Sequence, residues 1–268
     1  MSDIYDILYT PLDVASTPEV DCNEIRKWCN LNSFRAPARS MDLLPELTSR
    51  GLDIAEGSMQ LDSKRTNGLI DKESNYPWNL TYAMFCGEWY GGFDTKFPEL
   101  VTHFYNLFGL TQQELGFVIL LPIHPTFQGR GFWHSDPDLG GLRLYLEIDD
   151  VLDSLLIKPT IVKRSSEDIA NQMFQLAWNK SFGNDLLQYA QPTMHSAIIK
   201  NTRQAYFINN VNAFHAVNVK TYPARRIAVI LGTLAETQYI VPDKIKQLIL
   251  DSAATYKNQA IYWTPPVD

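Results

Sequence analysis

The chain has 268 residues and a formal net charge of −7 at neutral pH, with 45% hydrophobic and 20% charged residues. This composition is typical of a globular protein with a sizeable core, and the length fits a single β-rich domain. The acidic balance and the lack of a basic stripe argue against binding to a nucleic-acid backbone, which requires clustered lysine and arginine. We therefore predict that nucleic acid is not a partner.

The cysteines and the apolar runs bear on the compartment. Cys22, Cys29 and Cys86 are odd in number and lack the C-x-x-C spacing of a structural zinc site, which favours a reducing compartment without disulfides. Residues 1–14 are acidic and interrupted by proline, unlike a signal peptide. The longest apolar run, 117–123, is much shorter than a membrane span. The sequence thus predicts a cytoplasmic protein with no membrane partner.

The elements of the first half are unevenly marked. Residues 1–95 are rich in turn sequences and hard to assign. Residues 97–110 are predicted to form a helix, since Pro98 suits a first turn and four apolar residues follow at helical spacing. These four are Leu100, Phe104, Leu107 and Phe108. A buried strand is predicted at 116–125.

The second half alternates between strand and helix patterns. Residues 141–148 alternate strictly, with leucines on one face and Arg143, Tyr145 and Glu147 on the other. Helices are predicted at 165–178 and 242–256, and three short strands at 204–210, 214–219 and 225–232. Because the late strands are far in sequence from the early ones, with helices around them, the pattern favours an antiparallel β core flanked by helices over a doubly wound sheet. No glycine-rich nucleotide-binding loop is present.

Three residues that can bind a metal stand out in this pattern. His134 and Asp136 are two positions apart just before the alternating strand, so their side chains project to one side of an extended chain. His215 lies in another strand-like segment. Two imidazoles and one carboxylate on one face of a metal are the ligand set of non-haem Fe(II) oxygenases, which leaves positions open for oxygen and a chelating co-substrate.

Structural interpretations of the same residues remain open at this point. His134 and Asp136 also fit a polar surface turn, and His215 fits a core histidine that is hydrogen-bonded to a carbonyl. Arg143 could pair with Glu147 on an exposed strand face.

The spacing of two arginines adds a resemblance. Arg143 follows His134 by nine positions, and Arg225 follows His215 by ten. With these spacings the chain resembles the aspartyl/asparaginyl β-hydroxylase-like 2-oxoglutarate oxygenases, which include bacterial amino-acid and proline hydroxylases. In that family H-x-[D/G] precedes R-L-x-[H/Y]-L, and a distal H-x-V/A is followed ten residues later by an arginine. The resemblance covers about 117–150 and 203–232, including the FINNVNAFHAVN segment.

The resemblance implies a mainly β fold with flanking helices and a double-stranded β-helix core, that is, a cupin-like jelly roll. It implies one oxygenase domain over 1–268, with 1–95 as an N-terminal elaboration and 96–268 as the core. It also implies Fe(II), 2-oxoglutarate as co-substrate, and O2.

The resemblance further assigns roles to individual residues. These are His134, Asp136 and His215 as iron ligands, Arg225 on the distal carboxylate of 2-oxoglutarate, Arg143 on a second carboxylate, and Tyr145 where the family often has histidine. Arg226 adjoins Arg225, and strand alternation allows only one of them to face the interior; the spacing favours Arg225. The presence of Asp136 places the chain nearer the amino-acid hydroxylases and argues against a halogenase.

The implied function is hydroxylation of an unactivated C–H bond in a small substrate that carries a carboxylate. The substrate would be an amino acid or an amino-acid residue in a peptide. The alternative from another class is a non-catalytic cupin-like protein that binds a metal or a small acid.

Overall fold

The computed structural model describes only part of the chain. The described residues are 3–32, 81–85, 88–112, 114–122, 142–147, 154–159, 163, 195–198, 203–209, 212–217, 227–233 and 242–265. The predicted helix at 165–178 lies outside these ranges, so it stays a prediction.

The described residues form eleven strands, four helices and one short 3-10 helix. The strands are β1 (Ile7–Pro11), β2 (Thr81–Phe85), β3 (Glu88–Trp89), β4 (Leu115–Pro122), β5 (Leu142–Glu147), β6 (Ser154–Pro159), β7 (His195–Ile198), β8 (Ala205–Asn209), β9 (Ala213–Val217), β10 (Ile227–Thr233) and β11 (Ile261–Tyr262). The helices are α1 (Cys22–Asn32), α2 (Phe93–Lys96), α3 (Pro98–Phe108) and α4 (Asp243–Thr255), and a short 3-10 helix spans Ile4–Asp6.

Helix α3 confirms the prediction made from its apolar spacing. Pro98 occupies its first turn, and Gly109 ends it with a left-handed φ of 58°, a conformation that glycine adopts without strain. All four residues of the predicted apolar face are buried. Helix α4 is confirmed as well, but the two-residue strand β11 that follows it was not predicted.

The described strands form two antiparallel sheets. The large sheet has eight strands in the order β11-β1-β8-β5-β10-β4-β2-β3, and the small sheet has three in the order β7-β6-β9. Every pairing in these two sheets is antiparallel. The predicted β-rich antiparallel fold with flanking helices is therefore confirmed. The strands of 1–95 join the same large sheet as the later ones.

The large sheet is buried on both faces along β8. Phe207 and Ala205 belong to one apolar cluster with residues of α1, α3 and α4. Tyr206 and Ile208, which alternate with them, are also buried but lie outside that cluster. A strand that is buried on both faces has apolar residues at consecutive positions rather than at alternate ones. This explains why β8 contains a nearly continuous apolar sequence. Its two faces are therefore two separate environments.

Within the ranges given above, no helix is long and apolar enough to cross a lipid bilayer.

Candidate functional site

The predicted site residues divide between described and undescribed segments. His215 lies in β9, and Arg143 and Tyr145 lie in β5. His134, Asp136, Arg225 and Arg226 lie outside the described residues. Within the described segments, no three His, Cys, Asp or Glu side chains are arranged to hold a metal. The complete ligand set therefore stays a prediction.

His215 is a buried residue of the small sheet. It is the third residue of β9, pairs with Ile157 of β6, and has 4% of its surface exposed. Ile157 and Ala213, which share its side of the sheet by register and alternation, are fully buried. A buried imidazole requires a hydrogen-bonding or metal partner, because burial without one is costly. Both the core interpretation and the ligand interpretation of His215 meet this requirement.

A second histidine shares the register row of His215. His195, the first residue of β7, pairs with Ile157 from the other side. Two strand spacings, about 10 Å in total, therefore separate the backbones of the two histidines. Sequence reasoning left His195 unassigned, because only the pairing of β7 with β6 reveals this row.

Arg143 and Tyr145 occupy register positions on the large sheet. Arg143 pairs with Ile208, and Tyr145 pairs with Tyr206, both in β8. Ile208 also pairs with Tyr9 of β1, whose ring lies 5.8 Å from the ring of Tyr206. Tyr9, Tyr206 and Ile208 are all buried. The register thus places the backbone of Arg143 and Tyr145 opposite two residues of β8 that lie outside the helix-covered cluster.

A buried polar cluster that sequence reasoning did not assign lies at the end of β8 and directly before β9. The side-chain nitrogens of Asn209 and Asn212 both donate to the carbonyl of Tyr5, each at 3.3 Å. The side-chain oxygen of Asn209 also accepts from the backbone N–H of Asn212 at 3.1 Å. Both asparagines are fully buried. We call Asn209, Asn212 and the Tyr5 carbonyl the asparagine clip.

The asparagine clip lies beside both predicted site segments. Asn209 ends β8 and pairs with Leu142, the residue directly before Arg143. Asn212 precedes His215 by three positions. The signal in the sequence was the cluster of asparagines in the otherwise apolar FINNVNAF segment, since buried amides are found where their hydrogen bonds are satisfied.

Among the described residues, two surface carboxylates far from these segments in the sequence have strongly lowered pKa values. Hydrogen bonding and charge attraction from Lys27 and Lys96 lower the pKa of Glu24 to about 2. The backbone N–H of Thr111, followed by Lys244, lowers the pKa of Glu114 to about 2. Both carboxylates belong to surface ion pairs, which are weak indicators of a functional site.

No family model matches the sequence, and no curated protein matches it either. The functional interpretation therefore depends on the residues and the fold of this chain.

Proposed function

We propose that the protein is an Fe(II)- and 2-oxoglutarate-dependent oxygenase that hydroxylates a small substrate carrying a carboxylate, an amino acid or an amino-acid residue in a peptide. The observation that carries the proposal is the burial of His215 on a small antiparallel sheet. The strands of this sheet, β6, β7 and β9, lie along the chain between β5 and β10 of the larger sheet, and β8 of the larger sheet lies between β7 and β9.

The strand order supports a double-stranded β-helix. In that fold eight strands form two sheets, and the chain passes repeatedly from one sheet to the other. Here β4, β5, β8 and β10 are neighbours in the large sheet, in the order β8-β5-β10-β4, whereas β6, β7 and β9 form the small sheet. The jelly roll needs one further strand between β4 and β5, next to β9. His134 and Asp136 lie in the sequence between β4 and β5.

The positions of the strand ends support a shared metal site. Leu142, which begins β5, pairs with Asn209, which ends β8, and β9 begins four residues later at Ala213. The starts of β5 and β9 therefore adjoin the same end of β8. Asp136 precedes Leu142 by six positions in the sequence. Under the proposal, the segments with all three ligands meet at this end.

Each residue has a defined task in the proposed site. His134, Asp136 and His215 would hold the metal, a donor set that suits Fe(II). Arg225, two residues before β10, would bind the distal carboxylate of the co-substrate, because a guanidinium binds a carboxylate through two parallel hydrogen bonds. Arg143 would bind a second carboxylate. Tyr145 would adjoin the co-substrate.

The bound iron and 2-oxoglutarate would supply the oxidising chemistry by using O2. The contribution of the chain is to orient the substrate and to exclude water. The burial of His215 fits this second task. Where the second carboxylate belongs to the substrate, Arg143 would select substrates that carry a carboxylate.

The test is to load the protein with Fe(II) and 2-oxoglutarate under anaerobic conditions and to record the visible spectrum. We expect a charge-transfer band in the green region that is lost in His215→Ala and in His134→Ala. His103→Gln is the matched control, because His103 lies in α3, and it should keep the band. No band in the wild type, or a band that is unaffected by both alanine variants, would contradict the proposal.

Turnover separates catalysis from binding. A screen of amino acids and peptides, read by succinate formation and product mass, should identify a substrate that stimulates succinate release. A protein that shows the band but releases no succinate with any of these compounds would instead be the non-catalytic cupin-like protein.

A further inference from the structure

The acceptor of the asparagine clip is held rigidly. Tyr5 belongs to the 3-10 helix, in which the backbone N–H of Asp3 donates to the Asp6 carboxylate at 3.1 Å, and the N–H of Tyr5 donates to the Asp3 carboxylate at 3.3 Å. The N–H of Trp263 donates to the carbonyl of Asp6 at 2.7 Å. β1 follows directly and pairs with β8. The Tyr5 carbonyl is therefore fixed relative to the large sheet.

The donors of the clip constrain the start of β9. A backbone carbonyl oxygen has two lone pairs and can accept two hydrogen bonds. The side-chain amides of Asn209 and Asn212 each donate one hydrogen bond to the carbonyl oxygen of Tyr5. Because buried amides are costly when these bonds are not made, the clip favours one position of Asn212 relative to Asn209 and Tyr5. An apolar side chain would constrain only the volume of its surroundings, whereas a hydrogen bond also constrains the distance and direction of its partner.

The position of the clip links its geometry to the site. The clip holds the end of β8, which lies next to the start of β5 and therefore next to Arg143. It also holds Asn212, which directly precedes β9 and lies three positions before His215. A shift in this connection would move β9 relative to β5.

We infer that Asn209 and Asn212 are positioning residues, which set the place of His215 relative to Arg143 by binding the carbonyl of Tyr5. The inference rests on the proposed function, since it assigns the clip to the same metal site. It also makes the 3-10 helix and β1 part of the support of that site. In metalloproteins, loss of the groups that orient a ligand typically lowers metal affinity by about 10- to 100-fold.

The experiment measures the binding of Co(II), a spectroscopic probe for Fe(II), to the full chain. Asn212→Leu replaces the amide by an apolar group with the same branching but a larger volume, and Asn212→Ala gives a second variant that cannot introduce a steric clash. Val101→Ala is the control, because Val101 is a buried residue of the helix-covered core. We expect a 10- to 100-fold loss of Co(II) affinity in the asparagine variants, about the range cited for such groups, with a changed visible spectrum. Val101→Ala should keep the affinity and spectrum of the wild type.

Two failures can be told apart. Wild-type affinity and spectrum in both Asn212 variants, or an equal loss of affinity in Val101→Ala, would overturn the inference and leave the proposed function intact. Absence of Co(II) binding by the wild type, or binding that His215→Ala does not weaken, would overturn the proposed function and the inference with it.

Discussion

The helix-covered core and the asparagine clip are both buried, but they are built from opposite kinds of side chain. The core contains Phe93, Phe104 and Phe207, all fully buried and in one apolar cluster. The clip contains two amides that are equally buried and hydrogen-bonded to one carbonyl.

The difference concerns what each region can specify. Apolar packing depends mainly on volume and tolerates swaps of similar size, so it favours compactness. The hydrogen bonds of buried amides also require a particular direction, and the fold loses stability if any of these bonds is not made. Polar burial directly before β9 therefore fixes the direction of the chain as well as its packing, next to His215.

The largest effect is expected in the core. Phe104→Ala should lower the free energy of unfolding by about 3–5 kcal/mol, because it removes buried surface and leaves a cavity. Leu100→Met, which keeps the volume, should cost less than about 1.5 kcal/mol. Urea titration of both variants measures this contrast. Equal losses for the two would mean that volume does not control this region.

A pair of glycines tests whether exact position also matters in the helix-covered core. Gly91 and Gly92 have φ values of 56° and 66°, but only at Gly91 would an added Cβ meet an atom, the side-chain oxygen of Asn32, at 2.2 Å. The left-handed backbone costs each alanine variant about 1–2 kcal/mol. Gly91→Ala should therefore lower the free energy of unfolding more than the matched Gly92→Ala. Equal losses would show that Asn32 moves aside freely.

The clip itself should show a smaller loss without any loss of volume. Asn209→Leu is expected to lower the free energy of unfolding by about 1–3 kcal/mol, because it leaves the backbone N–H of Asn212 without its acceptor and removes a donor from Tyr5. Chemical unfolding measures the loss. A neutral result would show that the amide can be replaced by its apolar counterpart, and the contrast with the core would then fail.

The smallest effect is a dependence on pH at His103. Burial lowers the pKa of His103 below its ordinary value of 6.5, so the unfolded chain takes up this proton at a higher pH than the folded chain. The free energy of unfolding should therefore fall as the pH drops below about 6.5. Its slope against pH should correspond to the uptake of at most about one proton on unfolding, and it should level off below the pKa of His103 in the folded protein. His103→Gln should remove this component in urea titrations at several pH values. An unchanged pH dependence in the variant would contradict the assignment.

Long periodic segments were predictable from the sequence. α3 and α4 follow from apolar residues at helical spacing, and β4, β5, β8, β9 and β10 follow from apolar or alternating runs. β3 and β11 were missed because two residues cannot display a period. β1 was missed because its turn-like ILYTP segment becomes a strand through pairing with β8 and β11.

The candidate site divides in the same way. Residue type and position along the chain suffice to propose His134, Asp136 and His215, because ligand chemistry depends on the side chains present. Arg225 was added by the family resemblance. Only the tertiary structure placed His195 in the row of His215.

The same division holds for the clip. Tyr5 and Asn212 are 207 positions apart, and no local pattern predicts a bond across that separation. By itself, the sequence determined the strongly periodic elements, such as α3, α4, β4 and β5, and which side chains could do chemistry. Strand pairing decided which of those side chains lie together, because register depends on partners that are remote along the chain.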